Sequence, residues 1–445
     1  MIKEFKGLKF SDDTRDLEKG IDIFVITAGN ISFLDSINQS AYKTKFIDSS
    51  ELKNYFKTDI KIVGITGTNG KTTTASAIYS TLLDLGYKCA LLGTRGLFMN
   101  DSKIKPKGLT TPSLLDLYED IDLACDKGCE YFVMEVSSHA IVQDRISSLN
   151  FALKAITNIT SDHLDFHKTL ENYIEAKLSF FQDDEVLKVI NLDDARVARL
   201  RFYKKTYSYA LDSKATLKVN AYSLTNGLDA QLTFSPPKSA SQDAFLESSL
   251  YGVHNLYNAM CALTCVLLLT KRPLEEVCTA FSNFGGVSGR SEVVSTKPLI
   301  IVDFAHTQDG MLKMFESFKG RNIHVVFGAG GDRDKTKRPL MGRVAKAYAS
   351  KIYVTSDNPR SEDPDSIIQD ILGGMEDVSN VYVNADREAA IKQAITELDE
   401  NCVLLILGKG DEEGQIFKNK VLPFSDKECV QKILTNISST HQKLQ

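Results

Sequence analysis

One glycine-rich stretch has the residue types and spacing that bind phosphate. Residues 64–74 read Gly-Ile-Thr-Gly-Thr-Asn-Gly-Lys-Thr-Thr-Thr. The apolar run Ile60–Ile65 precedes it, and the apolar spacing after Thr72 predicts a helix towards Leu85. Backbone N–H groups in such a strand-to-helix turn converge on one point, where the helix N-terminus adds positive charge. We therefore predict that Lys71 reaches terminal phosphates and that the Thr72 hydroxyl meets Mg²⁺. A glycine turn without a nucleotide is the alternative.

Two further groups of side chains follow predicted strands. Glu135 ends the apolar run Tyr131–Val136, and a carboxylate there suits Mg²⁺, which prefers oxygen ligands. The alternative role is a cap on the next helix. Residues 158–167 place two histidines and two aspartates after the predicted strand Ala155–Ile159. Four such groups in one loop indicate a site, and zinc is possible on ligand type, although no thiolate accompanies it.

The phosphate loop resembles that of the Mur ligases and their folylpolyglutamate synthetase relatives, which share Gly-Thr-Asn-Gly-Lys-Thr-Thr. The resemblance spans residues 11 to about 430 and implies ATP and Mg²⁺ as cofactors. It implies catalytic roles for Lys71, Glu135, His163 and Lys177. The implied metal ligands are Thr72, Glu135, His163 and the carbamate of Lys177. The implied ATP-binding residues are Gly67, Thr68, Asn69, Gly70, Lys71, Thr72, Thr73, Asn255, Arg290, Asp303 and His306.

Lys177 has two opposed interpretations. From the residues alone, it is a solvated helix lysine paired with a glutamate. The resemblance implies instead that it reacts with CO₂, because His163 and Lys177 keep the fourteen-residue separation of the family's metal-binding histidine and carbamylated lysine. A carbamate would turn this cation into an anionic oxygen ligand.

The segment Asp357-Asn358-Pro359-Arg360 is the most informative about the substrate. It resembles the amino-acid signature of the Mur ligase that adds the third residue of the peptidoglycan stem peptide, in the form that accompanies meso-diaminopimelate. Diaminopimelate differs from lysine by a second carboxylate, which the planar fork of arginine matches with two hydrogen bonds. The alternative is a turn arginine paired with Glu362 or Asp363. The implied diaminopimelate-binding residues are Arg333, Asp357, Asn358, Pro359, Arg360, Gly408 and Glu412.

The resemblance also implies contacts to a UDP-muramoyl-dipeptide. The implied residues are Asp13, Thr14, Arg15, Thr110, Thr111, Pro112, Ser137, Ser138, His139, Gln143 and Arg145. Thr14 stands where the family has serine, and Asp411 replaces a histidine that usually precedes Glu412.

Strands and helices must alternate to position these residues, and the sequence predicts this from about residue 59 onward. Later apolar runs, which end in residues suited to binding, are Leu299–Val302, Ile323–Phe327, Ile352–Thr355 and Val403–Leu407. We predict an α/β fold of three domains. They are a small N-terminal α/β domain that binds the UDP substrate (1–58), a central ATP-binding P-loop domain with a parallel sheet (59–285) and a C-terminal Rossmann-like domain that binds the amino acid (286–445).

Composition restricts the class of protein. The chain has 445 residues, 43% hydrophobic and 25% charged, as in soluble multidomain proteins. The sequence contains no run of about 18 apolar residues, so it predicts no membrane-spanning helix. The net charge of −5 gives no support to nucleic-acid binding. Eight cysteines without zinc-site spacing indicate reduced thiols. We expect a cytoplasmic monomer that binds small molecules and neither nucleic acid nor membrane.

The resemblance implies an ATP-dependent amide-bond-forming ligase of peptidoglycan synthesis. It would add meso-diaminopimelate to the D-glutamate of UDP-N-acetylmuramoyl-L-alanyl-D-glutamate through an acyl phosphate. Three alternatives remain open. The same ligase could use L-lysine, although Arg360 would then have little use. A folylpolyglutamate synthetase should lack Asp-Asn-Pro-Arg. A non-catalytic nucleotide-binding scaffold would be expected to have lost Lys71, Glu135 or His163.

Overall fold

The computed structural model describes residues 2–34, 37–225, 227–399 and 401–443. The chain divides into two compact units. The N-terminal unit comprises residues 1–249 and 255–285, and the C-terminal unit comprises residues 250–254 and 286–445.

A small sheet begins the N-terminal unit. Its strands, in spatial order, are β1 (Lys3–Phe5), β2 (Leu8–Ser11), β3 (Ile23–Ile26) and β4 (Lys45–Asp48). The first pair is antiparallel and the other pairs are parallel. The short helices around this sheet are α1 (Ile31–Leu34) and the 3-10 helices Thr14–Lys19, Gln39–Ala41 and Ser49–Asn54.

The large sheet of the N-terminal unit is parallel in its centre and antiparallel at both edges. Its strands along the chain are β5 (Lys61–Thr66), β6 (Cys89–Gly93), β7 (Gly96–Met99), β8 (Ser102–Lys105), β9 (Tyr131–Glu135), β10 (Phe151–Ile156), β11 (Leu187–Asn191), β12 (Thr206–Ala210), β13 (Leu217–Ser223), β14 (Leu228–Phe234) and β15 (Gln242–Ser248). Their spatial order is β15-β14-β13-β12-β11-β10-β5-β9-β6-β7-β8. The sheet is therefore mixed rather than wholly parallel, because hairpins extend it on either side.

Helices cover this sheet and join it to the small one. They are α2 (Lys71–Asp84), α3 (Leu114–Asp126), α4 (Ser138–Val142), α5 (Leu164–His167), α6 (Leu170–Ser179), α7 (Val253–Thr270), α8 (Leu274–Ser282) and the 3-10 helix Val197–Phe202. Phe10 and Phe56 share one apolar cluster with Tyr118 of α3, and the Phe56 and Tyr118 ring centroids are 5.7 Å apart. The small sheet is thus fixed on the large one by a common core.

Among the described helices, α7 has the length and apolar composition to cross a membrane, but 72% of it is buried within the protein. Such burial is typical of a core helix.

The C-terminal unit has a Rossmann-like sheet. Its strands are β16 (Glu292–Thr296), β17 (Leu299–Asp303), β18 (Asn322–Phe327), β19 (Lys351–Val354), β20 (Val381–Val383) and β21 (Cys402–Leu407), with a separate hairpin of β22 (Gly414–Phe417) and β23 (Lys420–Pro423). The spatial order is β16-β17-β21-β18-β19-β20, and only the pairing of β16 is antiparallel. The helices are α9 (Gln308–Ser317), α10 (Lys337–Tyr348), α11 (Pro364–Leu372), α12 (Arg387–Thr396) and α13 (Asp426–Lys443).

The predicted strands and helices occur with small shifts at their ends. The largest error concerns β10, which spans Phe151–Ile156 rather than the predicted Ala155–Ile159. The three-domain α/β class is confirmed, while the boundaries at residues 58 and 285 stay a prediction.

Candidate active site

The phosphate loop lies between β5 and α2, where the sequence predicts it. Gly67 and Gly70 have φ angles of +144° and +84°, which glycine adopts without strain. A Cβ on Gly67 would lie 1.9 Å from Oγ1 of Thr157, and one on Gly70 would lie 2.2 Å from Oδ1 of Asn258. Nδ2 of Asn258 donates to Oδ1 of the predicted ATP contact Asn255 at 3.1 Å. Both glycines are therefore needed for close packing as well as for the turn.

Residues that follow β10 hold the loop in shape. The backbone N–H of Thr68 donates to the Asn158 carbonyl oxygen at 2.9 Å, and that of Asn69 donates to Oδ1 of Asn158 at 3.0 Å. Oγ1 of Thr157 donates to the Asn69 carbonyl oxygen at 2.6 Å. Thr73 is buried in the first turn of α2. The sequence analysis assigned no supporting role to Thr157, because a threonine after a strand carries no recognisable signal.

Two lysines meet at the carbonyl oxygen of Gly67. Nζ of Lys71 donates to it at 2.8 Å and to the Thr68 carbonyl at 2.8 Å, and Nζ of Lys177 donates to it at 3.0 Å. Lys177 is only 1% exposed, so its interpretation as a solvated helix lysine is wrong. Burial, followed by the nearby Lys71 charge, lowers the pKa of Lys177 well below its usual range. Because CO₂ reacts with a neutral amine, these surroundings suit a carbamate, which stays a prediction.

The Glu135 carboxylate is buried at the end of β9 and contacts the helix of the phosphate loop. Its Oε2 accepts a hydrogen bond from the Thr72 hydroxyl at 2.9 Å. Its Oε1 accepts the backbone N–H of Thr94 at 3.0 Å, and the Thr94 hydroxyl lies 3.1 Å from that of Thr110. A hard oxygen ligand beside the predicted phosphate site fits Mg²⁺. Thr94 contacts Glu135 but was not predicted, since it follows β6 in an unremarkable Gly-Thr-Arg sequence.

Thr94 offers a test of the predicted metal site. The Thr94 hydroxyl also donates to Oε2 of Glu135, at 3.3 Å. We expect Thr94→Val to raise the Mg²⁺ concentration for half-maximal activity about three- to tenfold, because the carboxylate loses one orienting hydrogen bond. Thr81→Val is the matched control, because the buried Thr81 hydroxyl on α2 has no hydrogen-bond partner. An equal change in both variants would contradict the assignment.

Three histidines lie close together after β9 and β10. The ring centroids of His139 and His163 are 5.0 Å apart, and those of His139 and His167 are 5.8 Å apart. Nε2 of His167 lies 2.9 Å from the Ser138 hydroxyl. Within the described ranges, no group of three or more His, Cys, Asp or Glu side chains is placed to hold a metal ion. The zinc alternative therefore gains no support, and Mg²⁺ binding by Thr72, Glu135, His163 and the Lys177 carbamate stays a prediction.

A cleft of about 660 Å³ joins two distant stretches of the N-terminal unit. Five residues predicted to bind UDP-muramoyl-dipeptide line it, namely Asp13, Thr14, Arg15, Gln143 and Arg145. The other lining residues were not predicted, and they are Asp12, Thr27, Gly29, Asn30, Phe33, Ser113, Leu114 and Asp144. Pro112 directly precedes this lining at Ser113. A cleft of this size suits part of a nucleotide-sugar ligand.

Hydrogen bonds connect the cleft wall to the strand end that carries Glu135. Nη1 of Arg145 donates to the Thr111 carbonyl oxygen at 2.7 Å. The Thr111 hydroxyl donates to the Glu135 carbonyl oxygen at 3.0 Å, and it accepts the Ser137 N–H at 3.0 Å. In contrast, Arg15 is largely exposed and pairs with Asp13 at 2.5 Å.

In the C-terminal unit, three predicted ATP contacts lie together near the end of β17. The Arg290 guanidinium lies 4.3 Å from the centroid of the Phe304 ring, and the His306 ring lies 4.8 Å from the same centroid. The Asp303 carboxylate accepts the Ser291 N–H at 2.6 Å and so closes the turn that carries Arg290. These contacts bring the three predicted side chains to one end of the sheet.

Asp357 follows β19 and is a buried carboxylate of the same unit, 6% exposed. Among the described residues, none donates a hydrogen bond to its side chain. Burial raises the pKa of Asp357, and the Arg387 cation lowers it less. Its Oδ2 lies 2.4 Å from where a Cβ on Gly408 would be, so Gly408 leaves room for it. A buried carboxylate without a donor points to a cationic ligand.

One carboxylate oxygen of Glu412 accepts hydrogen bonds from two neighbouring side chains. Oε2 accepts hydrogen bonds from Nδ2 of Asn358 at 2.7 Å and from Nζ of Lys409 at 2.9 Å. Oε1 receives no hydrogen bond from any described residue. The predicted residues Asn358 and Glu412 are thus in contact, whereas Lys409 was not predicted.

Arg360 is not the turn arginine of the simpler interpretation. The carboxylate of Glu362 binds Arg338 at 2.8 and 3.0 Å, and Asp363 caps α11. Nη1 of Arg360 donates to the Gly331 carbonyl oxygen at 2.8 Å, while Nε and Nη2 have no partner among the described residues. The remaining edge of this guanidinium can bind a carboxylate through two hydrogen bonds.

The loop after β18 completes this group of residues. A Cβ on Gly331 would lie 1.9 Å from the Pro359 carbonyl oxygen, so the loop and the signature segment are in close contact. The exposed Arg333 follows in the loop, and its Nη1 donates to the Asp332 carbonyl oxygen at 3.4 Å.

Comparison with known proteins identifies relatives of both units. The Mur ligase middle domain matches residues 65–266, and the Mur ligase glutamate ligase domain matches residues 289–410. Three similar bacterial proteins are named UDP-N-acetylmuramoyl-L-alanyl-D-glutamate–2,6-diaminopimelate ligase. That of Helicobacter pylori is 54% identical over 96% of both chains, and that of Wolinella succinogenes is 51% identical over 96% of both. That of Clostridium tetani is 35% identical over 97% of this chain and 90% of its own.

Two solved structures extend the comparison. One, named as the same ligase, is 27% identical with a TM-score of 0.69, covering 97% of this chain and 95% of its own. A Mycobacterium tuberculosis folylpolyglutamate synthase shares the fold at 17% identity, with a TM-score of 0.63 over 81% of this chain and 91% of its own.

Proposed function

The chain belongs to the Mur ligase family, and we propose that it joins meso-diaminopimelate to the D-glutamate of UDP-N-acetylmuramoyl-L-alanyl-D-glutamate at the expense of ATP. This reaction forms an amide bond in peptidoglycan synthesis, as the names of its relatives indicate. We further propose that the enzyme works as a cytoplasmic monomer without membrane insertion.

The pocket formed by Asp357, Glu412 and Arg360 is the observation that supports this substrate. Diaminopimelate ends in an ammonium and a carboxylate on the same carbon. The two carboxylates have oxygens without a donor, and the guanidinium has an edge without an acceptor, among the described residues. L-Lysine would satisfy the carboxylates and leave Arg360 without an anion. Glutamate, which folylpolyglutamate synthetases add, would bring no far ammonium to Asp357 and Glu412.

The first chemical step transfers the terminal phosphoryl group of ATP to the D-glutamyl carboxylate of the substrate. The bond to the ADP oxygen breaks, and a bond to the carboxylate oxygen forms. Negative charge accumulates on the phosphoryl oxygens, so fixed cations and N–H groups stabilise the transition state. Lys71 beside the phosphate loop has this role in the proposal. In the proposal, Mg²⁺ would be held by Thr72, Glu135, His163 and the Lys177 carbamate. Its charge would neutralise part of the negative charge on the phosphate groups.

The second step forms the amide. The amine of diaminopimelate attacks the acyl carbon, and a tetrahedral intermediate forms. Inorganic phosphate then leaves with the former carboxylate oxygen, and the nitrogen loses a proton. The C-terminal unit contributes by orienting the amino acid, which lowers the entropic cost of the encounter. Arg333 and Arg360 would hold its two carboxylates.

Phosphate release in the presence of ATP, Mg²⁺ and UDP-muramoyl-dipeptide tests the proposal. Separate reactions would contain meso-diaminopimelate, L-lysine or L-glutamate, and mass spectrometry would identify the product. We expect release and a tripeptide product with meso-diaminopimelate alone. Release with lysine alone would contradict the assigned pocket, and release with none of the three would contradict the proposed reaction.

Asp357→Asn is expected to abolish use of the amino acid and to stabilise the protein. The pKa of Asp357 is raised, so folding favours its protonated form and the ionised form weakens the fold above pH 3.8. The variant should therefore have a higher free energy of unfolding than the native protein at pH 7. The gain should vanish below pH 3.8, where both side chains are neutral. Denaturant unfolding at pH 7 and pH 3 measures it.

Asp426→Asn is the matched control. Asp426 binds the fully buried Arg387 at 2.7 and 2.8 Å. Removal of this charge leaves a buried cation without a partner, so we expect a loss of about 3 kcal/mol. A stability loss in Asp357→Asn would show that the native carboxylate has a stabilising partner.

A further inference from the structure

Lys409 is a fully buried lysine directly beside the amino-acid pocket. It follows β21, and its Nζ donates to Oδ1 of Asn358 at 3.2 Å, to Oε2 of Glu412 at 2.9 Å and to the Gly414 carbonyl oxygen at 2.7 Å. An ammonium group has three hydrogens, and all three are used. Lys409 therefore has no donor left for a ligand, so any effect on the substrate must pass through its neighbours.

These bonds fix the orientation of Asn358. Oδ1 accepts from Lys409 and from the Ile416 N–H at 2.9 Å, and Nδ2 donates to Glu412 at 2.7 Å. A flipped amide would direct its N–H group at two other donors, so only one arrangement is satisfied. Asn358 and Lys409 both donate to Oε2 of Glu412. Oε1 of Glu412 therefore accepts no hydrogen bond from the described residues.

We propose that Lys409 is a positioning residue that determines recognition of the far ammonium of the amino acid, by holding Asn358 and orienting Oε1 of Glu412 towards it. The inference rests on the proposed function, because it assumes a diamino acid in this pocket. The inference concerns only recognition of the far ammonium, since Arg360 is proposed to bind the far carboxylate.

The test compares meso-diaminopimelate with L-2-aminopimelate, which lacks the far ammonium but keeps both carboxylates. In Lys409→Met, we expect KM for meso-diaminopimelate to rise about 30-fold while KM for ATP stays the same. The kcat/KM for 2-aminopimelate, already low in the native enzyme, should change less than about threefold. Lys351→Met is the control, because Lys351 pairs with Glu397 at 2.8 Å on β19 of the same sheet.

The possible results distinguish a positioning role of Lys409 from a structural role and from failure of the proposed function. Equal losses with both amino acids would mean a structural role and would overturn the inference, as would unchanged kinetics with both. If native enzyme does not use meso-diaminopimelate at all, the proposed function fails instead. Circular dichroism melting checks that Lys409→Met folds. If it does not, Lys409→Gln keeps hydrogen-bond donors without the charge, and the same ratio of the two substrates decides.

Discussion

Replacing Arg360 by glutamate is expected to reduce kcat/KM for meso-diaminopimelate about 1000-fold or more. In the proposed pocket the native guanidinium would offer Nε and Nη2 to the far carboxylate of the amino acid, whereas a glutamate would repel it. The KM for ATP and for UDP-muramoyl-dipeptide should remain within about twofold, because Arg360 lies among the amino-acid contacts. Steady-state kinetics with each substrate varied in turn measure the effect.

Two further variants make the test specific. Arg360→Lys keeps the charge but loses the planar fork, so we expect an intermediate loss of about 30-fold. Arg343→Glu makes the same charge change at an exposed position of α10 and should be nearly neutral. Use of L-lysine by Arg360→Glu should not fall, since its far end carries only a cation. Unchanged kinetics with diaminopimelate would remove Arg360 from the pocket.

The sequence predicts the strand ends of this protein well because buried parallel strands are continuous apolar runs. The runs before Asp303, Asp357 and Gly408 end within one residue of the observed strands. The exception is β10, where Lys154 interrupts the run, so the predicted strand started too late. Lys154 is buried, with its Nζ 4.7 Å from the centroid of the Phe180 ring. The burial of Lys154 depends on Phe180 at the end of α6, which is distant in sequence. The residues on either side of Lys154 therefore do not predict it.

The residues that the sequence did not predict act through tertiary contacts. Thr94 and Lys409 have ordinary sequence surroundings, and their importance lies in hydrogen bonds to Glu135 and Asn358, which are 41 and 51 residues away. A tertiary contact also fixes the backbone of Arg360, since its N–H donates to the Ile416 carbonyl oxygen of the β22–β23 hairpin at 2.9 Å. Family resemblance predicts residues that would touch substrates, whereas these supporting contacts depend on the tertiary structure.

Lys177 is the site residue for which the local pattern was most misleading, and it gives the second large prediction. We expect Lys177→Met to lower kcat about 1000-fold or more, because the variant cannot form the carbamate that would serve as a metal ligand. Carbamate formation joins the Nζ atom to the carbon of CO₂ and releases one proton. The lowered pKa of Lys177 provides the neutral amine that this step requires.

Lys154→Met separates this chemistry from the removal of any buried lysine. Burial lowers the pKa of Lys154 as well, but its charged partner is Asp183, 4.0 Å away, and it does not contact the phosphate loop. Both lysines are ordinarily protonated in the unfolded chain, so both substitutions should stabilise the protein at pH 7. Only Lys177→Met should lose activity. After incubation with ¹³C-bicarbonate, the native protein and Lys154→Met should give a carbamate carbon signal that Lys177→Met lacks. A signal that persists in Lys177→Met would place the modification elsewhere, and full activity of the native protein without any signal would leave Lys177 as an unmodified lysine beside Gly67.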